Sequence, residues 1–309
     1  MKRVAIRVVG IIFSVVGFAF GSPAAADSDA AKAIAQAATF YASFDRDTTA
    51  DYGSGDREIW SRYDHPSEKG KNVAERGYDR KFVELTKATA VRGGSLHFKD
   101  VLPRNGFLFF RAGDKLAIKP KEWGGTASVW IKTDPEKMLK TKHCDPIHLV
   151  EKRYFDGAIW CDFTDDKPRD LRLGFFPSLA PGQGEPKLPE SEQPMVRAVD
   201  PSFAPDAWHH VAITWQNVNS SKPDAQAMMY LDGRPIATLK DRNVQISWDR
   251  ERVRFYVGCA LVGWLDEASL FSRPLSGAEM LYLYRHPEVL AQVLGTTSHA
   301  TPLRGAQDP

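Results

Sequence analysis

Trp208-His209-His210-Val211-Ala212-Ile213-Thr214-Trp215 precedes Met229-Tyr230-Leu231-Asp232-Gly233-Arg234-Pro235-Ile236 by a short polar interval. Val211, Ile213 and Trp215 alternate with His210, Ala212 and Thr214. A strand turns successive side chains to opposite faces, so this two-residue period sends one set into a core and leaves the other nearer solvent. Asp232-Gly233 then separates Met228–Leu231 from Pro235–Leu239. A DG step between two such runs signals a tight hairpin, because Gly accepts the positive φ the turn demands.

The same texture extends in both directions. Short runs rich in β-branched and aromatic residues occupy 126–132, 147–150, 158–163, 171–175, 208–215, 228–231, 252–257 and 265–271, with Gly, Pro, Asp and Asn between them. Val129 and Ile131 face one way, and Ser128, Trp130 and Lys132 the other. Such punctuated runs predict a sandwich or barrel rather than βαβ units. One helix is expected: Ser276 caps it, Glu279 completes a capping box, apolar residues follow through Tyr282, and Pro287 ends or kinks it. Two stretches read as irregular. Residues 51–95 are charged and turn-rich, while 177–205 hold seven prolines and form either a wall of a binding site or an inert excursion.

The N-terminus has the pattern of an export signal. Lys2, Arg3 and Arg7 precede an apolar run from Val8 to Phe20, and Ser22, Pro23 and Ala24–Ala26 supply small residues for cleavage after Ala26. That run is shorter than the roughly 20 residues needed to span a bilayer, and no later stretch is more apolar. The expected organisation is a signal peptide at 1–26, a frayed Ala- and Asp-rich segment at 27–37, one β domain at 38–290 and a disordered tail at 291–309. The expected location is secreted, periplasmic or in the cell envelope, with no membrane span after cleavage. Loss of three basic residues from 41 leaves 38 against 39 acidic ones. So balanced a chain lacks the basic footprint of a nucleic-acid binder. A hydrophobic content of 43% suffices for one large core. The three cysteines are Cys144, Cys161 and Cys259. Either Cys144 and Cys161, which flank a hairpin, pair in an oxidising compartment, or all three stay free and buried. No Cys/His spacing suggests zinc.

Five motifs in order carry a family resemblance. Phe44-Asp45 opens the series, Gly125-Thr126-Ala127-Ser128-Val129-Trp130 follows, and then come the 208–215 strand and the 229–236 hairpin. Val257-Gly258, Leu265-Asp266-Glu267, Pro274-Leu275-Ser276 and Glu279 close it. Across residues 40–285 the chain resembles the concanavalin A-like (LamG-like jelly-roll) superfamily, in an exported bacterial form. The resemblance implies an all-β fold, a two-sheet antiparallel jelly-roll sandwich of about six or seven strands per sheet, with one short C-terminal helix. Trp208 and Trp215 are expected to be scaffold, their N–H groups needing partners when buried, and Asp232 to hydrogen-bond its own turn.

For function, the superfamily includes glucanases whose paired carboxyls come from one strand as E-x-D-x-x-E. No such spacing occurs here, and Asp266-Glu267, being adjacent, should point to opposite faces. His209-His210 should diverge likewise and read as scaffold. The leading expectation is a non-catalytic exported module that binds a glycan or an extracellular protein. The alternatives are a glycoside hydrolase or lyase with an atypical site, and a purely structural envelope protein. Exposed aromatics are the expected sugar contacts, with Trp60, Trp123, Tyr154 and Trp160 foremost. Arg169, Arg172, Arg252 and Arg254 are candidates for a basic stripe. The family often holds a structural calcium ion where its first and closing strands meet, and Asp45, Asp47, Asp51 and Asp266 are the ligand candidates, as carboxylate oxygens suit that ion.

Overall fold

A computed structural model describes residues 23–141 and 143–297. Most of the expected signal peptide, and residues 298–309 of the expected tail, lie outside the described residues. In chain order the strands are β1 (Ala38–Ala42), β2 (Tyr52–Gly53), β3 (Trp60–Asp64), β4 (Asn72–Arg76), β5 (Val83–Thr86), β6 (Ser95–Phe98), β7 (Phe107–Arg111), β8 (Trp123–Lys132) and β9 (Cys144–Arg153). They continue as β10 (Asp156–Phe163), β11 (Leu171–Phe176), β12 (Met195–Ala198), β13 (Trp208–Val218), β14 (Ala225–Leu231), β15 (Arg234–Arg242), β16 (Arg254–Cys259) and β17 (Gly263–Phe271). Helices α1 (Pro23–Ala37), α2 (Gly277–Arg285) and α3 (Val289–Thr297) flank them. None of these helices is long and apolar enough to cross a membrane.

Two antiparallel sheets face each other. The nine-stranded sheet runs β15-β14-β13-β8-β17-β1-β2, with β6 also on β17 and β5 on β6. The eight-stranded sheet runs β12-β11-β10-β9-β16-β7-β3-β4. Period-two alternation puts Val129, Ile131, Val211, Ile213 and Trp215 of the first against a layer that includes Leu149, Ile159, Leu173 and Phe255 of the second, in one continuous core. In the hairpin between β14 and β15 both Asp232 (φ 51°) and Gly233 (φ 74°) are left-handed, the backbone of a tight primed turn. Asp232 does not bond its own turn. Its carboxylate reaches back to β13, accepting from the His210 N–H at 2.9 Å and meeting His209 Nδ1 at 2.8 Å.

The strand count corrects the expected six or seven per sheet. Residues 51–95, read as irregular, supply β2 to β6, and the unremarked Phe107–Arg111 supplies β7. β4 is an edge strand with four of its five residues exposed. An edge strand has little to bury, so it carries no apolar alternation to read. The capping box of α2 forms as expected, with Ser276 Oγ accepting from the Glu279 N–H and the Glu279 carboxylate accepting from the Ser276 N–H. Two further helices were not foreseen. The segment expected to fray lies within α1, whose Ile34 is buried with Leu290 and Leu294 of α3, and α3 takes up the start of the expected tail.

Candidate functional site

The three helices close off much of one outer face of the sandwich. Ile34, Met280, Leu283 and Leu290 pack with Ala212 and Tyr230, which point outward from the nine-stranded sheet. The outer face of the eight-stranded sheet is different. Phe109, Val150, Ala158, Trp160, Phe176 and Tyr256 project there as a second apolar layer, and beside them opens a cavity of about 830 Å³. That size falls within the range of small-molecule sites.

Trp160 is its best-anchored aromatic. The indole lies directly on Gly174 of the neighbouring strand, where an added Cβ would meet its ring carbons at 2.2 and 2.3 Å. Its Nε1–H donates to the Tyr154 carbonyl at 2.8 Å, and Phe176 stacks beside it at 5.7 Å between centroids. The Arg172 guanidinium sits 5.8 Å from the ring centroid and holds Asp162 bidentately at 2.9 and 2.6 Å. Burial lifts the Asp162 carboxyl to about 7 against the pull of Arg172. At the rim Tyr154 is 45% exposed and hydrogen-bonded to Glu185. Glu185, Gln193 and Met195 line the cavity, so the Pro-rich segment does form one of its walls.

Charge on the lining is unbalanced. Arg62, Lys152, Arg153, Arg172 and Arg254 face Asp145, Asp162 and Glu185. Arg153 and Arg254 lie over Phe155 and Phe109. A guanidinium held over an aromatic face keeps its N–H fork available to a ligand.

A bulge brings together residues that regular strand geometry would hold on opposite faces. Residues three apart on a regular strand face opposite ways, yet Asp145 and His148 of β9 share this face. Cys161 pairs with Ile147 and Phe163 with Cys144, so β9 carries one extra residue between those pairs. The insertion turns Asp145 outward, and its Oδ2 meets His148 Nδ1 at 2.7 Å. On β16, Gly258 (φ +64°) makes a similar break, and Cys259 comes to the same face opposite Asp145.

The structure divides the expected ligand contacts. Tyr154 and Trp160 line the cavity. Trp60 sits on the same sheet face outside the cavity lining, flanked by Arg111 at 4.6 Å and Arg76 at 5.5 Å, its Nε1–H donating to Asp56. Trp123 is 1% exposed in the inter-sheet core, packed on Trp215, and cannot meet a ligand. Of the four arginines, Arg172 and Arg254 line the cavity. Arg169 is buried among carbonyls and Arg252 pairs with Glu151 at 3.7 Å. His209 and His210 diverge, the first facing the core side of β13 and the second packing on Trp130 at 5.3 Å. Burial drops His210 to about 4, which suits a neutral scaffold residue. Trp215 is buried too, but its N–H has no hydrogen-bond partner among the described residues. All three cysteines are free and buried.

Asp45, Asp47 and Asp51 line a second cavity just past the C-terminal end of β1. Each already accepts N–H groups. Asp45 takes Gly94 N–H at 3.1 Å and pairs with Arg92, Asp47 takes Thr49 N–H at 2.7 Å, and Asp51 takes Ser43 N–H at 2.8 Å. Asp266, fully buried, accepts from Val91, Arg92 and Glu267 N–H. Accepting these N–H groups uses only part of each carboxylate's lone pairs, and a calcium ion needs six to eight oxygens in all. Here too a bulge overrides the alternation. Glu267 takes a left-handed φ of 51° and the β8–β17 register slips by one residue. Asp266 and Glu267 therefore do not diverge: both border Arg92, and Glu267 also accepts the Tyr41 hydroxyl at 2.5 Å. Burial pushes Asp266 up to about 8, and burial together with Asp266 raises Glu267. Both residues are buried, at 0% and 4% exposure.

No family model matches the chain, and no curated protein matches it. Solved structures do resemble it. One, named HCR/D-Sa-GBL1/C, aligns at a TM-score of 0.50 and 12% identity over 82% of this chain and 52% of its own. The binding domain of Paraclostridial Mosquitocidal Protein 1 aligns at 0.49 and 10% identity over 81% of this chain and 52% of that one. Domain 4 of AbnA, a GH43 extracellular arabinanase from Geobacillus stearothermophilus, in complex with arabinotriose, aligns at 0.48 and 13% identity over 80% of this chain and 99% of that one. The chain spans about half the length of the first two. Likeness at such identities speaks to fold alone: the first of the three joins the chain's own two antiparallel sheets in describing a β-sandwich.

Proposed function

We propose that this chain is an exported, non-catalytic binding module whose cavity on the eight-stranded sheet takes a saccharide bearing acidic groups. One observation carries the reading: an aromatic-floored cavity of about 830 Å³ whose lining holds five arginine and lysine side chains against three acidic ones. Aromatic faces suit the apolar side of a sugar ring, and bidentate guanidinium forks suit carboxylate or sulfate. Arg172 is paired with Asp162 and Arg62 with Asp64, which leaves Arg153, Arg254 and Lys152 as the cations that a ligand would meet. The export-signal pattern read at residues 1–26 supports the exported part of this reading.

The test is retention of the purified chain on immobilised acidic polysaccharides, such as polygalacturonate and alginate, beside neutral glucan and arabinan. Retention on the acidic set is expected to fall as salt rises, and to be lost in Tyr154→Ala and Arg254→Ala. Equal retention on neutral and acidic polymers would remove the charge argument, and no retention on any polymer would remove the saccharide reading.

A further inference from the structure

We propose that Asp145, His148 and Cys259 form a binding site for a divalent transition-metal ion of the zinc class at the edge of this cavity. One carboxylate oxygen, one imidazole nitrogen and one sulfur lie within 4.8 Å of one another, and all three residues line the cavity. His148 is 8% exposed, and its Nε2 is buried with no hydrogen-bond partner among the described residues. An unsatisfied buried ring nitrogen is costly unless something is there to meet it. Two independent backbone departures, the extra residue in β9 and the left-handed Gly258 in β16, are what bring the three onto one face.

The donor set selects the ion. Sulfur and imidazole together favour zinc, cobalt or copper over calcium and magnesium, which demand oxygen. Three protein ligands would leave one tetrahedral position open, and since all three residues line the cavity, water or a ligand oxygen could complete it. Binding forms a metal–sulfur bond and releases the Cys259 thiol proton to solvent.

The experiment uses the full chain, reduced and stripped with chelator, and titrates it with cobalt(II) alone. One equivalent is expected to bind with a thiolate-to-cobalt charge-transfer absorption that zinc(II) then abolishes. Cys259→Ser should remove that band although Cys144 and Cys161 remain, and His148→Gln or Asp145→Asn should weaken binding by at least about tenfold, since even outer partners of a metal site are worth 10–100-fold. No absorption from the wild-type chain overturns the proposal, as does a band unchanged in Cys259→Ser or an affinity unchanged in both other variants. No saccharide is present, so the outcome is separate from that of the polysaccharide test.

Discussion

Gly174→Ala is the sharpest probe of how the cavity is built. The added Cβ would stand 2.2 Å from Trp160 Cε2 and 2.3 Å from Cζ2. Carbon atoms are comfortable at about 3.5 Å or more, so the indole must rise by roughly 1.3 Å or the two strands must part. Either movement pulls Nε1–H off the Tyr154 carbonyl, now at 2.8 Å, and disturbs the stack on Phe176. Overpacking of this kind costs about 1–3 kcal/mol, and a lost hydrogen bond adds about 1 kcal/mol. A total near 2–4 kcal/mol should lower Tm by about 4–16 °C for a domain of this size. Urea unfolding followed by tryptophan fluorescence measures it, with acidic-polysaccharide retention measured in parallel and expected to weaken. Gly184→Ala, where nothing lies within 4 Å of the new methyl group, is the control and should be near neutral. If Gly174→Ala is as stable as the control, the indole does not rest on that glycine and the account of the cavity floor is wrong.

Other outcomes follow from the buried network around β1 and β17. Arg92→Met strips the cation from Asp45 and Glu267 and should cost about 2–3 kcal/mol, less than a fully buried pair because Arg92 is partly solvated; urea unfolding should show that adding Glu267→Gln recovers part of the loss. Asp266, at about 8, and Asp162, at about 7, hold protons in the folded chain that the unfolded chain gives up near pH 4. The folded state then binds more protons, so stability should be greatest near pH 4–5 and fall as pH rises through 7 and 8. Unfolding midpoints across that range would show the slope, Asp266→Asn should flatten it, and a midpoint that climbs with pH would contradict it. Ser276→Ala removes one half of the α2 capping box and should cost about 1 kcal/mol by the same assay.

The features legible in the sequence share one property: they are set by neighbours along the chain. The alternation of 208–215, the Asp232-Gly233 turn and the Ser276/Glu279 box each need only local backbone geometry, and each forms. Trp160 and Tyr154 could be named as aromatics near strand ends, but Trp123 looked the same and lies in the core. Exposure depends on which layer lies opposite, and the chain does not write that down locally. β4 failed to stand out because an edge strand has little to bury, and β7 because Phe107 to Phe110 are apolar on both faces, two in the inter-sheet core and two in the outer layer.

By itself the sequence determined antiparallel strands over a shared apolar interior, because side-chain period, turn chemistry and apolar content all pointed there, and the choice of a sandwich over a barrel came from the family resemblance. The tertiary structure decided where the site lies. Helices α1, α2 and α3 pack on one outer face, and the other is left to form the cavity. It also decided which polar residues meet. The bulge in β9 and the left-handed turn at Gly258 put Asp145, His148 and Cys259 together, and the bulge at Glu267 gathers two adjacent acids around Arg92. One inserted residue reverses every face assignment beyond it, and whether a strand carries that insertion is settled by its pairing with its neighbours.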